Sequence, residues 1–113
     1  MFHWNAELYM DDKVKRKPAR YRRIVEGRKI AGTCYCITLP ANEKNCMDIY
    51  SSRQFWFRYY RELDIEIIGL AADREGARQV ICQMAQDIIR DFGEMNAESV
   101  KAYFCAEKEG EDR

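Results

Sequence analysis

The sequence predicts an α+β fold. The expected form is a small, mostly antiparallel sheet with helices on one face, in the order α-β-β-α-β-α plus an open C-terminal element. Three observations carry this. Residues 33–39 alternate with period two, residues 64–72 form a β-branched apolar run, and residues 74–92 repeat apolar positions at three and four spacing. The first two patterns belong to strands and the third to an amphipathic helix. At 113 residues, the chain has the length of a single domain, 1–113.

The N-terminal stretch contains Trp4, Leu8, Tyr9 and Met10 and reads either as a short strand or as an irregular cap. Residues 1–17 are otherwise expected to be irregular. Pro18 suits the first turn of a helix, where its missing N–H costs nothing. A helix over Ala19–Lys29 turns Tyr21, Ile24 and Val25 inward, and Gly27 weakens its end. In the next segment, Tyr35, Ile37 and Leu39 share one strand face, and Cys34, Cys36 and Thr38 share the other. Pro40–Asn45 has turn chemistry. Cys46–Tyr50 is the returning strand, with Met47 and Ile49 expected to face the core.

Ser51 and Gln54 fit a capping box opening a short aromatic helix. Phe55, Tyr59 and Leu63 lie on one face of it, Trp56 and Tyr60 form the adjacent row, and Phe57 points elsewhere. Asp64–Ala72 then passes from alternation into a continuous apolar run, the mark of a strand inside a sheet. With Cys46–Tyr50 and the aromatic helix it is expected to form a parallel crossover. Asp73 is placed to cap a helix over Arg74–Phe92, whose apolar stripe is Ala77, Val80, Ile81, Met84, Ala85, Ile88 and Phe92. Gly93 tolerates the left-handed backbone that ends such a helix. Beyond it, Asn96 caps a last helix over Ala97–Ala106, or Val100–Cys105 is an edge strand. Residues 107–113 are nearly all charged and expected to fray.

Lys plus Arg and Asp plus Glu both number 19, so the formal net charge is zero and a uniformly basic or acidic protein is excluded. The zero is a cancellation. Residues 1–61 carry 13 bases and six acids, and residues 62–113 carry 13 acids and six bases. The strongest local feature lies in the first half. From Lys13 to Lys29 there are nine bases and one acid, Glu26. A phosphate backbone would neutralise such a run, with Lys15, Arg16, Lys17, Arg20, Arg22 and Arg23 as the contacts expected for nucleic acid. Alternatively the run meets the protein's own acidic half, within one fold or between two subunits. A second partner class is another protein or a second copy, docking on Trp56, Phe57 and Tyr60 or on the opposed charged halves.

Catalytic signals are few. His3 is the single histidine, and no nucleophile elbow, zincin, P-loop or dinucleotide fingerprint occurs, so a non-enzyme with no cofactor is expected. Five cysteines without an export signal suit a reducing cytoplasm. Cys34, Cys36 and Cys46 could share a small patch of the hairpin, but the C-x-C spacing is poor for zinc, and no metal is expected. No segment reaches the roughly 18–20 apolar residues that span a bilayer, so no membrane partner is expected.

The stretch Met47-Asp48-Ile49-Tyr50, then Tyr59 through Ala71 and the Ala-containing helix after it, resembles small uncharacterised proteins of gut anaerobic Gram-positive bacteria, often encoded near mobile elements. The likeness spans residues 46–92. It implies a bacterial cytosolic accessory protein and brings no activity, cofactor or functional residue with it. Residues 64–92 also look locally like the second strand and helix of a response-regulator receiver, without the phosphoacceptor strand that follows there.

Overall fold

The apolar run after Asp64 is the second strand of a four-stranded sheet and has a paired neighbour on each side. The computed structural model describes residues 2–27, 32–40, 44–56 and 62–111, with Trp56 and residues 106–111 as backbone only. In chain order the described residues form β1 (Phe2–Met10), α1 (Asp12–Arg16), α2 (Pro18–Val25), β2 (Tyr35–Thr38), β3 (Asp48–Ser51), a 3₁₀ turn (Ser52–Trp56), β4 (Ile65–Ala71), α3 (Arg74–Phe92) and α4 (Ala97–Glu111). The strands lie in the order β1-β4-β2-β3. β4 pairs parallel with β1 and antiparallel with β2, and β2 pairs antiparallel with β3. The fold is α+β around a mixed sheet.

The expectation of helices on one face is corrected. Val14, Ile24 and Val25 of α1 and α2 pack on one side of the sheet with Cys34, Cys36, Phe55, Ile65, Ile67 and Leu70. α3 and α4 cover the other, where Val80, Met84, Ile88, Val100 and Phe104 meet Ile37, Ile68 and Ala71. A strand apolar on both faces needs cover on both, and β4 is such a strand. Its alternation slips at a bulge: Ile37 pairs with Gly69 while Thr38 pairs with Ile67, leaving Ile68 as the extra residue. Gly69 lets α3 approach the sheet backbone, since a Cβ there would lie 2.6 Å from Met84 Cε.

The element order also differs at its start. The strand alternative holds for the N-terminal stretch, as β1, and α1 follows it where irregular chain was expected. β1 pairs Trp4 with Ile67 and Tyr9 with Gly69, so residues 5–8 bulge out of register. Asn5 holds the bulge. Its amide donates to Glu66 Oε2 at 2.7 Å and to the Phe104 carbonyl at 3.2 Å, and its oxygen accepts from Glu7 N at 2.8 Å. β3 and β4 are the parallel strands that the expected crossover joins, and β2 lies between them.

The helix starts and stops follow local chemistry. The Asp73 carboxylate accepts from Gly76 N at 2.7 Å, and Gly93, at φ 83°, closes α3 by donating to the Ile89 carbonyl. Asn96 and Ser99 cap α4 reciprocally, each backbone N–H donating to the other's side chain at 2.8 Å. The helical alternative therefore holds for the tail, with Val100 and Phe104 fully buried. Ser51 N donates to Gln54 Oε1 at 2.8 Å, as a capping box requires, but the element it opens is a 3₁₀ turn. Phe55 is buried there between the rings of Phe2 and Tyr50.

A polar cluster fastens β1 to both helices of the second face. The Tyr9 hydroxyl donates to Asp87 Oδ2 at 2.5 Å and accepts from the Tyr103 hydroxyl at 2.8 Å. Burial first, then these two bonds, hold the Tyr9 phenol well above its ordinary value of 10.0. The folded state thus retains a proton that the unfolded chain releases near its ordinary pKa. That stability is fully present below pH 10, and it is lost as pH rises above it. Urea unfolding measured against pH is expected to show this alkaline loss. Tyr9→Phe is expected to flatten it and to cost about 1–2 kcal/mol at neutral pH.

Candidate nucleic-acid interface

The basic run folds into two short helices set at an angle by Lys17 and Pro18. Asp11 starts the first: its Oδ1 accepts from Val14 N at 2.8 Å. The same carboxylate reaches β4, with Oδ2 accepting from Ala72 N at 2.9 Å. Val14 is fully buried, so its neighbours Lys13, Lys15 and Arg16 turn to solvent. Lys17 ends α1 by donating its N–H to the Val14 carbonyl at 3.0 Å, and Pro18 opens α2. Burial of Ile24 and Val25 then sets α2 on the sheet and leaves Arg20, Arg22 and Arg23 exposed. The helix ends at Val25, short of the expected Lys29, where Glu26 and a left-handed Gly27 (φ 74°) turn the chain. Arg28 and Lys29 lie outside the described residues.

All six expected contacts therefore stand on one exposed helical pair. Lys15, Arg16, Lys17, Arg22 and Arg23 form no ion pair among the described residues. Arg22 instead lies over the Trp4 ring, 5.1 Å from its centroid. Trp4 belongs to this surface and was not legible as such. Its partner is 18 residues away, and only the docking of α2 across β1 brings them together. Arg20 and Arg23 are neighbours at three spacing on α2, a mildly unfavourable placement that burial of Ile24 and Val25 outweighs.

An ion pair at the edge of this surface joins the two charged halves. Lys13 Nζ lies 2.9 Å from Asp73 Oδ2. The Lys13 ammonium, then the Gly76 N–H, hold the Asp73 carboxyl below its ordinary value of 3.8. His3 Nε2 also meets Asp64 Oδ1, at 3.4 Å, while α1 and α2 lie on one sheet face and α3 and α4, built from the acidic half, lie on the other. Arg90 pairs with Asp87 and Asp91, and Arg78 with Glu75, all within α3.

The remaining expected groups fall differently. Trp56 is described only as backbone, and Phe57 and Tyr60 lie outside the described residues, so the expected aromatic docking row does too. Cys34 and Cys36 are buried beneath α2, whereas Cys46 packs on the opposite face and its thiol reaches the Met95 carbonyl at 3.9 Å. The three thiols do not share a patch, because Cys46 precedes β3 and escapes its alternation. Burial pushes the Cys36 thiol well above its ordinary range, and the Cys36 and Ser52 hydrogen bonds lower Cys34. Among the described residues, no cluster of three His, Cys, Asp or Glu side chains could hold a metal, and no helix is long and apolar enough to cross a membrane.

No protein-family model, curated protein or solved structure matches this chain.

Proposed function

We propose that the protein binds nucleic acid by its phosphate backbone, through α1 and α2. The observation that carries this reading is the exposure of Lys15, Arg16, Lys17, Arg20, Arg22 and Arg23 on one helical pair, with the acidic half's helices α3 and α4 on the far side of the sheet. A face on which Lys15, Arg16, Lys17, Arg22 and Arg23 are exposed and form no ion pair among the described residues gains free energy by releasing the counterions of a polyanion. The contacts are cationic, and Arg22 covers the Trp4 ring that lies among them, so recognition is of charge more than of base sequence. A non-enzymatic accessory role in a bacterial cytoplasm is the setting that the resemblance over residues 46–92 implies.

Fluorescence anisotropy of a labelled oligonucleotide, titrated at several salt concentrations, tests the reading. About five phosphate contacts give a log–log slope of roughly −4, so affinity is expected to fall some 10²–10³-fold between about 50 and 200 mM salt. Absence of binding even at the lowest salt overturns it.

A further inference from the structure

Arg22 stands apart from the other cations of the basic face. Tyr21, Ile24 and Val25 turn α2 toward the sheet. At about 100° per residue, Arg23 then points away from the sheet, and Arg20 and Arg22 fall on the two flanks of the helix. The Arg20 flank faces Gly32, where an added Cβ would lie 3.8 Å from Arg20 Nη2. The Arg22 flank faces β1, the outermost strand on that side of the described sheet, and there the guanidinium carbon lies 5.1 Å from the Trp4 ring centroid. This is a cation–π contact, and it seats a planar cation over an aromatic ring. Trp4 is half-buried against the core beneath α2. Arg22 is exposed and forms no ion pair among the described residues, so the outer side of its guanidinium meets solvent.

Granted the phosphate-binding role proposed above, on which this rests, we propose that the nucleic acid held by α1 and α2 is single-stranded, and that one of its bases stacks on the Arg22 guanidinium over Trp4. A guanidinium carries its N–H donors in its own plane. Its rim can therefore donate to a phosphate while its face carries a base, whereas a lysine brings the charge without the face. The contact with Trp4 holds the group in position beforehand and so lowers the entropy cost of using it. In a duplex each base is already paired and stacked within the helix, so an unpaired strand is the form that can turn a base face to this platform. Phosphate contacts alone act the other way. A duplex releases about 0.9 counterion per contact and a single strand about 0.7, so charge by itself favours the duplex. Stacking is what favours the strand, and the Arg22–Trp4 pair is where the described basic face offers it. Every base has a stacking face, so the contact adds a preference for strand form and none for sequence.

Fluorescence anisotropy at about 50 mM salt tests this with labelled probes of about 20 nucleotide units: an unpaired DNA strand, an abasic deoxyribose-phosphate chain and a duplex. With one base stacked, the strand is expected to bind about 5–150-fold more tightly than the abasic chain, which has the same phosphates and no bases. Arg22→Lys keeps the charge and is expected to reduce that advantage to about twofold or less. It is also expected to weaken strand binding more than duplex binding. Trp4→Leu removes the ring that seats the guanidinium and is expected to reduce the advantage as well. The double variant is expected to lose no more than Arg22→Lys alone, because the two side chains act as one platform. Circular dichroism checks the fold of each variant, and the exposed position of Arg22 lets Arg22→Lys stay folded. An abasic chain bound as tightly as the strand, an advantage that survives Arg22→Lys, or equal losses on strand and duplex overturns the stacking and leaves the phosphate-binding role standing. Binding of none of the probes overturns both.

Discussion

Asp11→Ala is expected to cost about 2–4 kcal/mol of stability, because one carboxylate serves two elements. Its Oδ1 caps α1 at Val14 N and its Oδ2 accepts from Ala72 N at the end of β4, and Asp11 itself is only 6% exposed. Removing it leaves two backbone donors without their acceptor, one of them on the fully buried Val14. α1 has five residues and little helical stability of its own, so the loss extends to the presentation of Lys15, Arg16 and Lys17. Gly76→Ala tests the same contact from α3. A Cβ there would overlap Asp11 Oδ2, so either the carboxylate gives up Ala72 N or the helix start moves. Overpacking of this kind is expected to cost about 3 kcal/mol. The double variant separates contact from coincidence. Without the carboxylate, the nearest remaining atom of residue 11 is its Cβ at 3.2 Å, a tight but tolerable approach. Alanine also favours a helix interior over glycine by about 1 kcal/mol. Gly76→Ala is therefore expected to be nearly neutral in the Asp11→Ala background, an interaction of about 3 kcal/mol in a double-mutant cycle read by urea unfolding. Additive losses would show that the two residues act independently.

These two residues also show where sequence reading stops. Asp73 and Gly93 were legible because a cap and a left-handed terminus are local, each set by residues within one turn of the helix. The faces of β2 were legible for the same reason: Tyr35 and Ile37 pack with α3 while Cys34 and Cys36 lie under α2. β1 was legible only as one of two alternatives, because its bulge between Trp4 and Tyr9 erases the period of two, and a parallel partner 60 residues downstream leaves no local trace. Ile68 had the same effect in β4, where the bulge turns alternation into a plain apolar run. Ile49 has the parity of a core residue and yet is exposed. Parity assigns a face of the sheet, whereas burial depends on whether a helix reaches that strand, and α3 covers β4 and β2. Of the candidate site, the basic composition was open to view, and its separation from the acidic half was not. That separation follows from the chain placing α1–α2 and α3–α4 on opposite faces of the sheet, which depends on the strand order.

Reversing charge on the exposed pair is expected to abolish binding without unfolding the protein. Arg16→Glu, Lys17→Glu and Arg23→Glu change three exposed side chains that form no ion pair among the described residues. Each replaces an attraction to phosphate by a repulsion. Neutralising a phosphate releases about one counterion, so removing these cations should shrink the salt slope by roughly three, and affinity at about 50 mM salt should fall more than 10³-fold. Stability should rise slightly if it changes at all, since Arg23 stands beside Arg20 and a glutamate there removes the like-charge neighbour. Lys13→Glu provides the contrast. It sets a carboxylate against Asp73, whose own carboxyl is held below its ordinary value by that lysine, so the substitution raises the Asp73 pKa and loosens the start of α3. The contribution of this pair is present above the ordinary carboxylate range and is lost as pH falls through it. Lys13→Glu should therefore change the acid limb of the stability profile, and the triple variant should leave it in place. If binding survives the triple variant with its salt slope intact, the phosphate contacts lie elsewhere on the molecule. If it disappears while the acid limb stands, the helical pair is the surface that holds the backbone, and the neutral composition of the chain conceals a basic face turned away from an acidic one.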